Sequence, residues 1–263
     1  MKALRCLVAK LKRELERLAT AATFLTRLPW VARFGRPEAA ELARASRYFP
    51  LIGVLIGALV ALAYAIALLV FTPAVAAVLA LTCGVLLTGA FHEDGLADTA
   101  DGLGGSFERA RKLEIMRDSR LGTYGTLALL LLMLAKFSAL QTYGAWDAAL
   151  ALIVAHTLAR ASSLALIAWL PYVREGSSFK PLADGVGRAE LLIASLISGA
   201  VVFLALDPRT GLALIALSAL IVLLSGWFFR RQLGGITGDC LGASNQLIEL
   251  AILLALSSVQ IPS

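Results

Sequence analysis

Long apolar runs broken by short polar stretches dominate this chain, and seven of the runs can be marked. They cover Tyr48–Phe71, Pro73–Phe91, Gly125–Tyr143, Trp146–Leu170, Ala189–Leu206, Gly211–Phe229 and Gln246–Gln260. Most approach the roughly 20 residues that a helix needs to cross a bilayer, and the last is nearer the lower limit of about 17. The runs lack the alternation of barrel strands, and only helices or closed barrels satisfy their backbone in lipid. The pattern therefore predicts an all-α, polytopic transmembrane bundle of about seven spans. Ahead of the first span, Leu4, Leu11, Leu18 and Leu25 recur every seven residues with Val8, Leu15 and Ala22 between them. Lys and Arg flank this stripe, which predicts an amphipathic helix lying on the membrane surface. A short coiled-coil contact with a second copy of the chain is the alternative. The expected division is a basic amphipathic segment, 1–45, and a transmembrane catalytic domain, 46–263.

Composition agrees: 59% of the 263 residues are hydrophobic and only 16% are charged, outside the ordinary soluble range. The net charge of +6 would suit nucleic acid, but the placement of the charges excludes that partner. Of 24 Lys and Arg residues, 21 lie in the N-terminal segment and in alternate loops (92–124, 171–188 and 230–245). Arg209 alone falls in an opposite loop, while Lys136 and Arg160 fall inside spans. That asymmetry predicts a multi-pass protein of the cell (inner) membrane, with the N-terminus and the polar loops in the cytoplasm. Cys6, Cys83 and Cys240 have no metal-type spacing, so reduced structural thiols are expected. Lys10, Lys12, Arg13, Glu14, Glu16 and Arg17 interrupt the first apolar positions, so no cleavable signal is expected.

The candidate chemistry concentrates in one block, HEDGLADTADGLGGSFERARKLEIMRDSRLGTYG, from His92 to Gly125. Glu93, Asp94, Asp98, Asp101 and Asp118 are its potential metal-site acids. Asp94, Asp98 and Asp101 are spaced i, i+4, i+7 and share a helical face, whereas Glu93 lies off it. Acids this dense at a membrane edge need a cation or a substrate to answer them. Hard oxygen donors without matched His or Cys suit Mg²⁺ or Mn²⁺, with substrate phosphates completing the shell. Arg117 and Arg120 are suited to phosphate oxygens, and Asp118 to a fourth ligand or a base.

Lys136 lies about 16 Å into its span at 1.5 Å per residue. Arg160 is similarly deep, with His156 one turn away. Each should face a cavity or an acid, and both are candidate phosphate ligands. A second polar cluster, GGITGDCLGASNQLIE, opens the last span and supplies Asp239, Asn245 and Glu249 on the same side of the membrane.

FHEDGLADTADG, LEIMRDSRLGTYG and GGITGDCLGA resemble the signature blocks of the cobalamin synthase family, the adenosylcobinamide-GDP ribazoletransferases. The early FLTRLP (Phe24–Pro29) and RYFPLIGVLIG (Arg47–Gly57) are similar to its N-terminal pattern. The resemblance implies a membrane-embedded, Mg²⁺-dependent enzyme. A ribose hydroxyl of α-ribazole, or of its 5′-phosphate, would attack the cobinamide-side phosphate of adenosylcobinamide-GDP, and GMP would leave. It implies Asp94, Asp98 and Asp101 as metal ligands, with Asp118 or Asp239 completing the site or taking the proton. Two other readings compete. A CDP-alcohol phosphotransferase also clusters Asp on membrane helices, but its DGxxAR pattern is incomplete after Asp94-Gly95. A cation transporter would hold its acids near the midplane rather than at one surface.

Overall fold

A computed structural model describes residues 2–28, 39–174 and 180–258. Pro29 of FLTRLP and Gln260 of the last predicted span lie outside the described residues. The described chain is helical. In order it forms α1 (Lys2–Leu25), α2 (Ala39–Ala45), α3 (Phe49–Leu68), α4 (Pro73–Thr88), α5 (Phe91–Gly105), α6 (Arg109–Ile115) and α7 (Thr123–Leu140). There follow α8 (Ala145–Trp169), α9 (Lys180–Gly185), α10 (Arg188–Ala205), α11 (Pro208–Leu233) and α12 (Gly238–Ser258).

Local chemistry sets several boundaries. Thr72 caps α4 by accepting from Val75 N, and Asp207 caps α11 by accepting from Arg209 N and Thr210 N; each helix opens on a proline. Among the described residues six segments are long and apolar enough to cross a membrane, one of them running Ala40–Leu68 through α2 and α3. The protein is a multi-pass membrane protein.

The second predicted span, Pro73–Phe91, is the one that differs most. It stops at Thr88 after 16 residues, and α5 leaves at 89° to α4. Gly89 (φ 67°) and Ala90 (φ 56°) make the break by taking the left-handed conformation in succession. Apolar periodicity ran through this turn because Phe91 continues the hydrophobic run. The last span begins at Gly238 instead of Gln246, so its polar cluster is already helical.

Two helices form the centre. In α8 78% of the most apolar window is buried, and in α12 67%, against 28% or less in α7, α10 and α11. Those outer helices present leucines such as Leu131, Leu196 and Leu223 to the exterior. The approach of α3 to α8 is set by Gly53 and Gly57, where a Cβ would stand 2.4 Å from His156 O and 2.7 Å from Leu152 O. Tyr64 locks one end by donating to Leu140 O (2.9 Å) and Tyr143 O (3.0 Å).

At the other end the polar loops meet. Arg109 Nε donates to Leu233 O at 2.6 Å, and Arg47 Nη2 pairs with Glu190 at 2.5 Å. The C-terminal half of α1 docks there through buried Ala21, Ala22 and Leu25, whereas Leu7, Leu11 and Leu15 remain exposed.

Candidate active site

The block from His92 to Gly125 folds back on itself, and the agent is Asp101. Its carboxylate accepts from Gly122 N and Gly125 N, each at 2.8 Å, and so caps the first turn of α7. A Cβ at either glycine would stand 2.4 Å from that carboxylate, which accounts for the glycine spacing of LGTYG. Asp101 is thus turned toward backbone amides rather than held open beside Asp94 and Asp98.

Those two acids remain on the outer part of α5, Asp94 exposed and Asp98 half-buried. Across from them runs the first turn of α12. The two helices touch backbone to backbone: a Cβ on Gly95 would lie 2.9 Å from Asp239 O, and one on Gly242 3.1 Å from His92 O. This contact brings Asp239 to the α5 acids. Because α5 is only fifteen residues long and strongly acidic, it is not itself a span. Burial, followed by the charges of Asp94 and Asp239, pushes the Asp98 carboxyl up to about 7.

Among the described residues Arg174 answers the group. Arg174 Nη2 donates to Asp239 Oδ2 at 2.5 Å and to Met116 O at 3.2 Å, and Thr237 Oγ1 donates to the same Asp239 oxygen at 3.2 Å. Arg174 is delivered by a strap in which Val173 N donates to Ile236 O and Ile236 N to Pro171 O, both at 2.9 Å. Its Nε is buried without a hydrogen-bond partner among the described residues. Nothing but its charge pointed to Arg174 in the residue pattern, because the strap joins residues more than sixty positions apart.

The other predicted residues divide into two places. Arg117, Asp118 and Arg120 lie on the outer loop, where Arg120 grips Asp118 through Nε (3.0 Å) and Nη2 (2.5 Å). These hydrogen bonds hold the Asp118 carboxyl down, to about 2. Lys136, Arg160 and Glu249 lie buried inside the bundle, beside Glu93 of the acidic block. Glu249 Oε2 accepts from Lys136 Nζ at 2.7 Å, and its Oε1 meets Arg160 Nη1 and, at 2.8 Å, His156 Nδ1. Lys136 also donates to Gln246 Oε1 at 2.5 Å, and Gln246 Nε2 to Glu93 Oε1 at 3.0 Å.

Between these groups is a void of about 30 Å³, room for about one water. Asn245 is fully buried, and neither amide atom has a hydrogen-bond partner among the described residues.

Chemically, then, one end of the bundle carries an oxygen-rich pocket of Asp94, Asp98 and Asp239 with an arginine beside it. Among the described residues no three His, Cys, Asp or Glu side chains are grouped to hold a metal by themselves. A divalent ion that takes one or two carboxylates and fills its shell from phosphate and water fits the α5 pair Asp94 and Asp98.

The chain matches the sequence model of a family described as cobalamin-5-phosphate synthase over residues 17–257. A protein of Shewanella amazonensis named adenosylcobinamide-GDP ribazoletransferase is 47% identical over 253 residues, covering 93% of this chain and 96% of the relative. Relatives of the same name from a Polaromonas species (43% identical, covering 90% and 94%) and Shewanella woodyi (44%, covering 94% and 97%) are similar. No solved structure matches the chain.

Proposed function

The chain belongs to the cobalamin-5-phosphate synthase family; it is a membrane transferase of cobalamin synthesis, and we propose that it works through the α5–α12 pocket. Its substrates on this reading are adenosylcobinamide-GDP and α-ribazole or its 5′-phosphate. The observation that carries the assignment is the convergence of Asp94 and Asp98 with the Asp239–Arg174 pair across the Gly95–Gly242 contact.

A ribose hydroxyl attacks the phosphorus on the cobinamide side of the diphosphate. The bond from that phosphorus to the bridging oxygen breaks, GMP leaves with the bond's electron pair, and a phosphodiester remains. Asp94 and Asp98 would hold Mg²⁺, which when bound supplies charge neutralisation for the diphosphate.

Arg174 is placed to bind phosphate oxygens with its planar fork. As it turns from Asp239 to the incoming diphosphate, an Asp239 oxygen is left to accept the hydroxyl proton. Asp118, held low by Arg120, is a weak base, and we assign it to the loop that covers the diphosphate together with Arg117 and Arg120. Asp101 is assigned to anchoring α7, and Lys136 and Arg160 to the interior network.

The same reading sets the pocket at the cytoplasmic face of the cell membrane, supported by the distribution of Lys and Arg. The exposed stripe of α1, with Leu7, Leu11 and Leu15, would rest on lipid headgroups. The phosphotransferase and transporter alternatives are not favoured. Incubation of the purified protein with adenosylcobinamide-GDP, α-ribazole and Mg²⁺ should release GMP, and Asp98→Asn should abolish that release. Full magnesium-dependent release by Asp98→Asn would refute the metal assignment.

A further inference from the structure

The acids of the pocket lie on two helices, so their spacing depends on the register of α5 along α12. The Gly95–Gly242 contact fixes how closely the helices approach. It presents only backbone and hydrogen atoms, so it resists sliding weakly. Just beneath it a polar link joins the two helices: Gln246 Nε2 to Glu93 Oε1, 3.0 Å. Glu93 is the residue immediately before Asp94.

The direction of that link is imposed from a third helix. Lys136 on α7 donates to Gln246 Oε1 at 2.5 Å. An ammonium has donors and no acceptor, so it selects the oxygen end of the amide and turns the NH₂ end toward Glu93. Glu249, one turn further along α12, holds Lys136 in place at 2.7 Å and is itself gripped by His156 and Arg160 from α8. The partners are buried: Lys136 is 4% exposed, Gln246 1% and Glu249 3%. In such surroundings hydrogen bonds are strong and alternatives in solvent are absent.

We infer that Gln246, oriented by Lys136, is a positioning residue: through Glu93 it sets the register of α5 on α12 and with it the separation of Asp98 from Asp239. This rests on the pocket assigned above. It also gives Glu93 a role that its place off the Asp face does not suggest.

Three variants of the full-length protein test this, assayed for GMP release per folded molecule across a magnesium titration. Gln246→Met keeps the volume and removes the link. It should lower kcat by about 10- to 100-fold, the scale of an ångström-sized misplacement. It should also raise the magnesium concentration for half-activation, with KM for α-ribazole unchanged. Glu93→Gln keeps an acceptor oxygen at the same reach and should retain both constants near wild type. Glu93→Asp keeps the charge in the chamber but shortens the arm, and should shift both constants in the direction of Gln246→Met.

Two results would overturn the inference. One is wild-type kcat and magnesium half-activation in the folded fraction of Gln246→Met or Glu93→Asp. The other is a Glu93→Gln variant as impaired as Gln246→Met. Failure of the pocket assignment looks different, because Asp98→Asn would then keep its magnesium-dependent release while the register variants are irrelevant to it.

Discussion

Replacing Glu249 by Gln should damage the protein more than any other isosteric change in the bundle. The carboxylate accepts from Lys136 at 2.7 Å, meets His156 at 2.8 Å and contacts Arg160, and all four groups are buried. The amide that replaces it has one acceptor oxygen and no charge, so two cations are left in the membrane interior facing a neutral group. Breaking a buried pair by removing one partner costs about 3–5 kcal/mol. An uncompensated Lys or Arg at mid-membrane costs about 2.5–3.5 kcal/mol on the gentler insertion scale. Lys136 keeps Gln246, and Glu93 borders the same void, so the two costs do not add and the loss should stay at about 3–5 kcal/mol. At about 2–4 °C per kcal/mol for a chain of this size, the unfolding midpoint should fall by about 6–20 °C.

Cys240 offers a reporter, since it is fully buried while Cys6 is exposed. In a Cys6→Ser, Cys83→Ala background, a thiol-reactive fluorophore should label Cys240 only as the bundle opens. Adding Lys136→Met to Glu249→Gln should recover part of the loss, with a coupling of about 1 kcal/mol or more. A midpoint within 2 °C of wild type for Glu249→Gln, or strict additivity in the double variant, would refute the reasoning.

Other outcomes follow from the pocket. Arg174→Gln should raise KM for adenosylcobinamide-GDP more than it changes the unfolding midpoint, measured by GMP release and the thiol assay; equal KM values would remove Arg174 from phosphate binding. Gly242→Ala places a methyl 3.1 Å from His92 O and should part α5 from α12, lowering kcat at saturating magnesium. Asp101→Ala leaves the Gly122 and Gly125 amides unpaired and should cost about 1–3 kcal/mol, read as a lower midpoint. Asp118→Asn, which breaks only an exposed pair with Arg120, should leave that midpoint within error.

Much of this was legible in the residues. The bundle of membrane-spanning helices and the approach of the last polar cluster to the α5 acids follow from run length and order, although six segments of the described residues qualify where the run pattern marks seven. What the residues did not disclose depends on contacts between distant segments. Helical phase put Asp101 on one face with Asp94 and Asp98, but the amides of α7 lie at the end of that face and take its carboxylate. Depth showed that Lys136 and Arg160 need a cavity or an acid, yet only the packing of α7 and α8 around α12 identifies Glu249 as the shared acid. Arg174 depends on a strap between Pro171–Val173 and Ile236, and no periodicity records it. The break at Gly89–Ala90 escaped because hydrophobicity is blind to backbone handedness.

The central place of α12 has a consequence for biogenesis. This helix supplies Asp239, Gly242, Gln246 and Glu249, and it is translated after α5, α7 and α8, the elements it joins. While the ribosome is still making α10 and α11, Lys136 and Arg160 are without Glu249, the carboxylate that both contact. The nascent bundle is then both catalytically empty and electrostatically unfinished. Arrival of α12 discharges both conditions at once, because the helix that completes the pocket also carries the carboxylate that answers the interior cations.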